Sequence, residues 1–377
     1  MKQERALSLH WWSKLACLCL LLCVPLWALA WETPILVSSY ETEDSGRIVR
    51  ERLDETLSAA LEIKRDGDFR YILLPDGTAS LVAWDGTGDT VALPSFVGEA
   101  QTGVTGLGVP DMKLAVPLVP ENCEISVWPE GLSRICGGAI ALGSRTQFRI
   151  PEGVRELDAF AEKANYTLKR IELPETLEIL GPRCFAYFMQ MDRIVLPASL
   201  REIGTEAFMA SEVSDIRLST GLARVGPGSF YGCHALEEIA LPESTLDIGT
   251  EAFAMCRNLQ RCEVPGTVEK IGDRAFAGCT RLYGLILREG SLREIGDEAF
   301  QGLEWLRKLR VPSTVTHLGE GAFDGCVRLA EIDLPGYLES IGDHAFRDLP
   351  EEAVFLAQAG TRTEELLREL GFRVCTP

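Results

Sequence analysis

With 377 residues, 46% hydrophobic and 25% charged, the chain carries enough apolar material to bury a sizeable core, which excludes disorder as its overall state. Its 56 acidic residues outnumber 37 basic ones and give a formal net charge of −19. Such a chain repels polyanions, so neither nucleic acid nor an anionic membrane surface is expected as a partner.

The first thirty residues, MKQERALSLHWWSKLACLCLLLCVPLWALA, set Lys2, Arg5 and Lys14 ahead of an apolar run from Leu15 to Ala30 that closes on Ala28, Leu29 and Ala30. This is the layout of a secretory signal peptide over residues 1–30, and it places the rest of the chain outside the cytoplasm, secreted or on the cell surface. A retained anchor is the alternative. The run is shorter than the roughly 20 apolar residues of a spanning helix, and membrane contact is expected only through this segment if it is uncleaved. Leu22 stands before Cys23 where a lipoprotein signal has a small residue, which disfavours lipid attachment there. In the region 31–66, Ile48, Val49, Leu53, Leu57, Ala60 and Leu61 line one stripe of an amphipathic helix predicted from Gly46 to Arg65, with Ser45 as N-cap. Its mixed charges favour docking onto the adjoining domain over a role as a partner or membrane-surface helix.

Residues 67–124 carry two apolar runs around Asp76 and Gly77, a dipeptide that favours a tight hairpin, and a second turn at Asp85 to Asp89. Three short strands follow from this. The string DGTGD at 85–89 looks like the start of a calcium loop, but Phe96 stands where the closing glutamate of an EF-hand belongs, so it reads as a turn and no metal is expected.

From residue 125 to 353 the chain repeats itself. LREIGTEAF at 200–208 returns as LREIGDEAF at 292–300, and Phe185, Phe208, Phe230, Phe253, Phe276, Phe300, Phe323 and Phe346 recur every 22 to 24 residues. Each unit reads as an alternating apolar pair and a proline (IELP, IVLP, IDLP), then an apolar residue, IG or a close variant, a small residue and the phenylalanine. The alternation is that of a strand: Ile171 and Leu173 point inward, Glu172 outward, and Pro174, which has no donor, ends the hydrogen-bonded run. Gly204, Gly226, Gly249, Gly272, Gly296, Gly319 and Gly342 read as bends of a second extended segment, where a residue without Cβ is cheapest. A unit of about 23 residues cannot bury its own apolar edge, so the units stack as a solenoid with the phenylalanines as an aromatic spine. The first two units are degenerate, with Ile140 and Phe160 standing for the phenylalanine, as capping repeats are; Thr245 and Leu246 disturb the pattern and predict a local bulge.

Three of the twelve cysteines lie in the leader and leave an odd number, which excludes complete internal pairing. Cys233, Cys256, Cys279 and Cys326 follow the repeat, which marks a buried slot filled by a free thiol; bridges between neighbouring units are the alternative that an oxidising compartment allows. In residues 354–377, Thr361 and Glu364 stand at capping-box spacing, Leu366, Leu367 and Leu370 share a face and Gly371 follows, which predicts a helix covering the last coil.

The units resemble the BspA-like leucine-rich repeats of bacterial secreted and surface proteins, whose pattern is close to LPxxLxxIGxxAFxxCxxLxxI. Phe and Cys take the place of the asparagine ladder found in the better-known leucine-rich repeat. The resemblance implies an α+β, mainly β fold: a right-handed leucine-rich-repeat solenoid over 125–353, of about ten coils of 22–24 residues with a strand-lined concave face. A β-hairpin N-terminal cap over 67–124 and a C-terminal capping segment over 354–377 complete it. The resemblance also implies protein-protein binding, in adhesion or host interaction, with an extracellular matrix, host surface or envelope protein as ligand. A structural or scaffolding role in the cell envelope is the alternative.

His234, His317 and His344 fall at variable positions of different units, and the chain has no HExxH, no GxSxG elbow and no GxxxxGK[ST] loop. No enzyme activity, catalytic residue or cofactor is expected; a site in the N-terminal cap is the minor alternative. Binding residues are sought among the outward positions of the first strand of each unit: Arg170, Glu172, Arg193, Arg217, Glu238, Arg261, Glu263, Ile286, Lys308, Arg310, Glu331 and Asp333. The column is mixed in charge, and from Arg261 through Ile286 to Arg310 apolar or small residues are flanked by cations, a combination that suits a protein ligand. Trp305 stands where other units carry small or polar residues and is expected to pack between coils.

Overall fold

The structure is a computed structural model that describes residues 62–376 apart from 111–113, 115–116, 122 and 159–164. The leader, Phe160 and residues 46–61 of the expected helix lie outside the described residues. At the end of that helix, Lys64–Asp66 is a strand (β1) instead. It pairs antiparallel with β2 (Phe69–Leu73) across Gly67, whose φ of +55° suits a two-residue hairpin loop, so turn chemistry there overrides the helical spacing. β2 pairs antiparallel with β3 (Ala79–Trp84) around Gly77, at φ +83°.

At β3 the pairing changes sense. Its other edge runs parallel to Thr102–Leu107, that strand runs parallel to Arg134–Ile135, and each following coil adds a two-residue rung as far as Ser340–Ile341. The result is a solenoid of about 12 turns, more than the phenylalanine count gives, because the strands from β3 to Arg134 stack without the phenylalanine and glycine signature. In each rung one residue points out and an apolar one points in: Leu180, Ile203, Ile248, Ile271 and Ile295 are fully buried. Thr245 occupies the inward slot held by Leu222 and Val268 in the neighbouring coils, and Leu246 turns out to solvent. The pairs Arg224↔Asp247 and Asp247↔Lys270 stay in register, so no bulge forms: threonine and leucine have exchanged places without inserting a residue.

The spine is present. Phe208, Phe230, Phe253, Phe276, Phe300, Phe323 and Phe346 stack with centroids 5.1 to 5.7 Å apart and ring planes within 18° of parallel. Both ends are closed by edge-on rings, Phe188 against Phe185 and the pair Phe355 and Phe372 against Phe346. The turn that carries each phenylalanine solves its own backbone accounting. The N–H groups two before, at and two after the phenylalanine donate to the next coil, as Glu251 to Asp273, Phe253 to Ala275 and Met255 to Ala277 do. The alternate N–H groups close local bonds to the carbonyl three residues back, as in Ala254 to Glu251 and Cys256 to Phe253. This alternation needs two left-handed residues per coil. The position two before the phenylalanine has φ between +51° and +58° in all eight coils, and the position two after it between +51° and +71°, whether the residue is Gly, Glu, Arg, Met or His.

All nine described cysteines are free, and eight are buried. The repeat thiols have a fixed partner: Cys233, Cys256, Cys279 and Cys326 each donate to the carbonyl of the preceding coil's phenylalanine, at 3.0, 3.0, 3.0 and 3.2 Å. Burial pushes the Cys233, Cys256 and Cys326 thiols up, Cys326 to about 12, which removes the thiolate that reacts. With the leader removed, a thiol reagent at pH 8 is therefore expected to label only the half-buried Cys375 in the native protein and all nine cysteines in guanidinium chloride. Mass spectrometry of the labelled chain decides it; two or more labels on the native protein would contradict the buried thiol ladder.

At the far end, the helix Arg362–Glu369 starts where the capping-box spacing predicts: Thr361 accepts from the Glu364 N–H at 3.4 Å, while the Glu364 carboxylate accepts from Gly360 N–H at 2.7 Å. Leu367 is fully buried and Leu366 half-buried, but Leu370 is exposed, because the helix turns Thr363 inward, where its hydroxyl oxygen accepts from the Leu338 N–H at 2.9 Å. In the turn after Phe323, buried Asp324 accepts from the Arg347 guanidinium (2.8 Å to Nε) and from Gln301 (3.2 Å), and these bonds hold its carboxyl below the usual range. A carboxyl whose folded value lies below its unfolded one stabilises the fold above the unfolded value and loses that contribution as the pH falls through the folded value. Asp324→Asn is thus expected to cost about 1–2 kcal/mol at pH 7 and little at about pH 2, a closing gap measurable by urea unfolding at both values.

Candidate protein-binding face

The first strand of a unit alternates outward, inward, outward: Arg170, Ile171 and Glu172, Arg193, Ile194 and Val195, and Lys308, Leu309 and Arg310 are exposed, buried and exposed in turn, while Glu263, Glu331 and Asp333 are only half-exposed. The inner residue anchors the strand in the core and fixes which side chains face out. These strands do not form one continuous ladder. Gln147–Arg149 pairs with Arg170–Glu172, and Arg193–Val195 with Asp215–Arg217. A three-stranded group follows, Glu238–Ala240, Arg261–Val264 and Gly284–Leu287, and then a four-stranded one from Lys308–Arg310 to Val374–Cys375. The candidate residues are therefore brought together in groups: Glu238, Arg261, Glu263 and Ile286 in the third, Lys308, Arg310, Glu331 and Asp333 in the fourth.

Within each group the charges pair across rungs. Arg193 lies 3.2 Å from Asp215, Arg261 3.7 Å from Glu238, Lys308 2.9 Å from Glu331 and Arg310 3.6 Å from Asp333. Arg288 bonds Glu263, and Glu172 receives both Arg170 and Arg149. Glu289, held below its usual range by the Ser313 N–H and hydroxyl, keeps a negative charge beside Arg310 at 3.4 Å. Among the described residues Arg217 makes no ion pair. Solvent-exposed pairs of this kind contribute on the order of 0–1 kcal/mol each, so a partner can replace them at small cost.

The apolar part of the face is larger than the strand positions alone provide. Ile286 is 55% exposed, as the alternation predicts. Trp305 is 48% exposed and does not pack between coils; the inward neighbours Leu303 and Leu306 fill that space, and the ring instead carries the Arg328 guanidinium 5.0 Å from its centroid. Tyr283, missed by the strand argument, is 45% exposed with Arg261 5.8 Å from its ring. Its signal was positional: other coils place Glu237, Gln260, Arg307 or Ala330 there. His234, His317 and His344 lie at the surface of different coils, and among the described residues no group of three or more His, Cys, Asp or Glu is placed to hold a metal. No helix among them is long and apolar enough to cross a membrane.

Solved structures of similar fold include a leucine rich cell surface protein of Faecalibacterium prausnitzii A2-165 (19% identity, 81% of this chain and 96% of that one, TM-score 0.40). A leucine-rich repeat protein of Bacteroides ovatus matches at 20% identity over 83% and 99%, with a TM-score of 0.38. The pneumococcal vaccine antigen PcpA matches at 16% identity over 83% and 96%, with a TM-score of 0.45. No curated protein matches the sequence. The sequence profile of the BspA type leucine rich repeat region matches in six copies over residues 134–260 and 246–358, more than half of the chain. On that match, and with the phenylalanine spine and repeat thiols in place, the chain belongs to the BspA type leucine-rich repeat family.

Proposed function

We propose that this protein is exported and binds another protein through the strand face and the aromatic side chains beside it, in adhesion or host contact. The observation that carries this reading is the exposure of Ile286, Tyr283 and Trp305 together on consecutive coils. Large apolar side chains rimmed by arginines make up the centre of protein interfaces, and a stacked array offers an extended surface on which to set them. The run from Leu15 to Ala30 supports export, and an extracellular matrix, host surface or envelope protein is the ligand class that follows.

Purified protein, immobilised and exposed to matrix and envelope extracts, is expected to retain a discrete protein. Ile286→Glu combined with Trp305→Ala is expected to lower that retention at least tenfold, while Arg224→Glu, on the outward side of the long ladder, leaves it unchanged. Retention of nothing, or equal retention by all three forms, overturns the reading.

A further inference from the structure

Five and seven residues beyond each spine phenylalanine the chain presents a second outward column, next to the strand face. On three consecutive coils this column carries Arg281 with Tyr283, Trp305 with Arg307, and Arg328, all exposed. Among the described residues its arginines are unpaired, whereas the cations of the strand face, Arg217 excepted, mostly have a carboxylate partner. Lys308, Arg310 and Arg261 each have a carboxylate within 4 Å, whereas among the described residues Arg281, Arg307 and Arg328 make no ion pair, although the chain holds 56 acidic side chains. Glu304, exposed on the same coil as Trp305, makes none with them either. An acidic protein has thus kept three neighbouring guanidinium groups clear of its own carboxylates, around a half-exposed indole.

We propose that this column takes an extended acidic segment of a partner protein, its carboxylates on Arg281, Arg307 and Arg328 and an aromatic or aliphatic side chain over Trp305 and Tyr283. The proposal rests on the protein-binding reading above and names the chemistry of the partner. Guanidinium forks bind carboxylates in bidentate geometry, and they are already oriented over aromatic faces here, as Arg328 is over Trp305. Rungs about 4.8 Å apart put Arg281 and Arg328 roughly 10 Å from one another along the stack, the length of about three residues of extended chain. Exposed Ile286 and Val327 flank the column and give an apolar side chain further surface, which a sulfated polysaccharide would not use. The net charge of −19 disfavours an acidic segment on the protein as a whole, so a local group of unpaired arginines supplies specificity as well as attraction.

The test is fluorescence anisotropy with a labelled peptide of alternating glutamate and phenylalanine, its glutamine analogue, and dextran sulfate as competitor. The glutamate peptide is expected to bind at least tenfold more tightly than the glutamine one and to weaken as salt rises. Arg281→Glu with Arg307→Glu and Arg328→Glu is expected to lose at least tenfold, Trp305→Ala likewise, and Arg224→Glu, on the long ladder, nothing; these exposed substitutions leave the melting transition in place. Equal binding of the two peptides, no binding, or an unaltered triple variant overturns the proposal. So does tight dextran sulfate binding that ignores Trp305→Ala, which would assign the column to a polysaccharide. If a protein captured from extracts is retained equally by the triple variant but lost on Ile286→Glu, this proposal fails and the protein-binding reading stands; if nothing is captured, that reading fails.

Discussion

Phe276→Ala is expected to destabilise the protein by about 3–5 kcal/mol, the range for emptying a fully buried aromatic site. Phe276 has no exposed surface and sits between Phe253 at 5.1 Å and Phe300 at 5.7 Å, so one truncation removes two stacked contacts and leaves a hole that neither neighbour can fill. The neighbours are held by backbone bonds to either side, Phe253 to Ala275 and Phe276 to Ala299, and those bonds fix the coil spacing against collapse. In a linear stack each coil is stabilised chiefly by its two interfaces, and the weakened pair lies in the middle of the array. Urea unfolding is therefore expected to split into two transitions, with amide protection lost first around residues 250–300. Phe276→Leu, which keeps most of the volume, is expected to cost about 1–2 kcal/mol. A loss below about 1.5 kcal/mol for the alanine variant would mean that the ring stack is not what joins the coils.

How much of this was legible follows from which side chains carry a distinctive pattern. The spine and the inward strand residues were, because Phe at a fixed interval and period-two alternation leave only one face on which those groups can be buried. The early coils were not: β3 and Thr102–Leu107 stack in parallel through backbone bonds that Ser80 and Gly106 can make as well as any consensus residue. The paired left-handed positions were hidden for a related reason. Arg183, Glu206, Met255 and Arg274 adopt φ near +55° to +61° where glycine is the usual mark, and inter-coil hydrogen bonds on both flanks hold them there. On the candidate face, the strand positions and Ile286 could be read from alternation, whereas Tyr283 and Trp305 lie outside the strand and depart from the repeat only as single residues. The pairing of the face's own charges depends on coil register and required coordinates.

Gly272→Ala is expected to cost about 2–4 kcal/mol, and the reason differs from the one its place in the repeat implies. The spacing of the glycine column suggests a series of bends, yet Gly272 does not have a positive φ. A Cβ there would lie 2.6 Å from the Gly249 carbonyl carbon and from the Thr250 nitrogen, in the backbone of the preceding coil. Gly249, Gly296, Gly319 and Gly342 meet the same obstacle at 2.4 to 2.6 Å, against backbone or, at Gly296, the Asp273 side chain. Backbone cannot swing aside as a side chain does, and moving it would lengthen the Gly272 bond to the Ile248 carbonyl, now 2.8 Å. Gly302 is the control: its φ is +71°, but a Cβ would find its nearest neighbour at 3.9 Å. Gly302→Ala therefore carries only the left-handed penalty of about 1 kcal/mol, and Ala210→Gly, at φ +51°, is expected to gain a comparable amount. If thermal or urea unfolding finds Gly302→Ala the costlier of the two glycine variants, conformation rather than close approach governs the column, and the coils are not packed backbone against backbone as described.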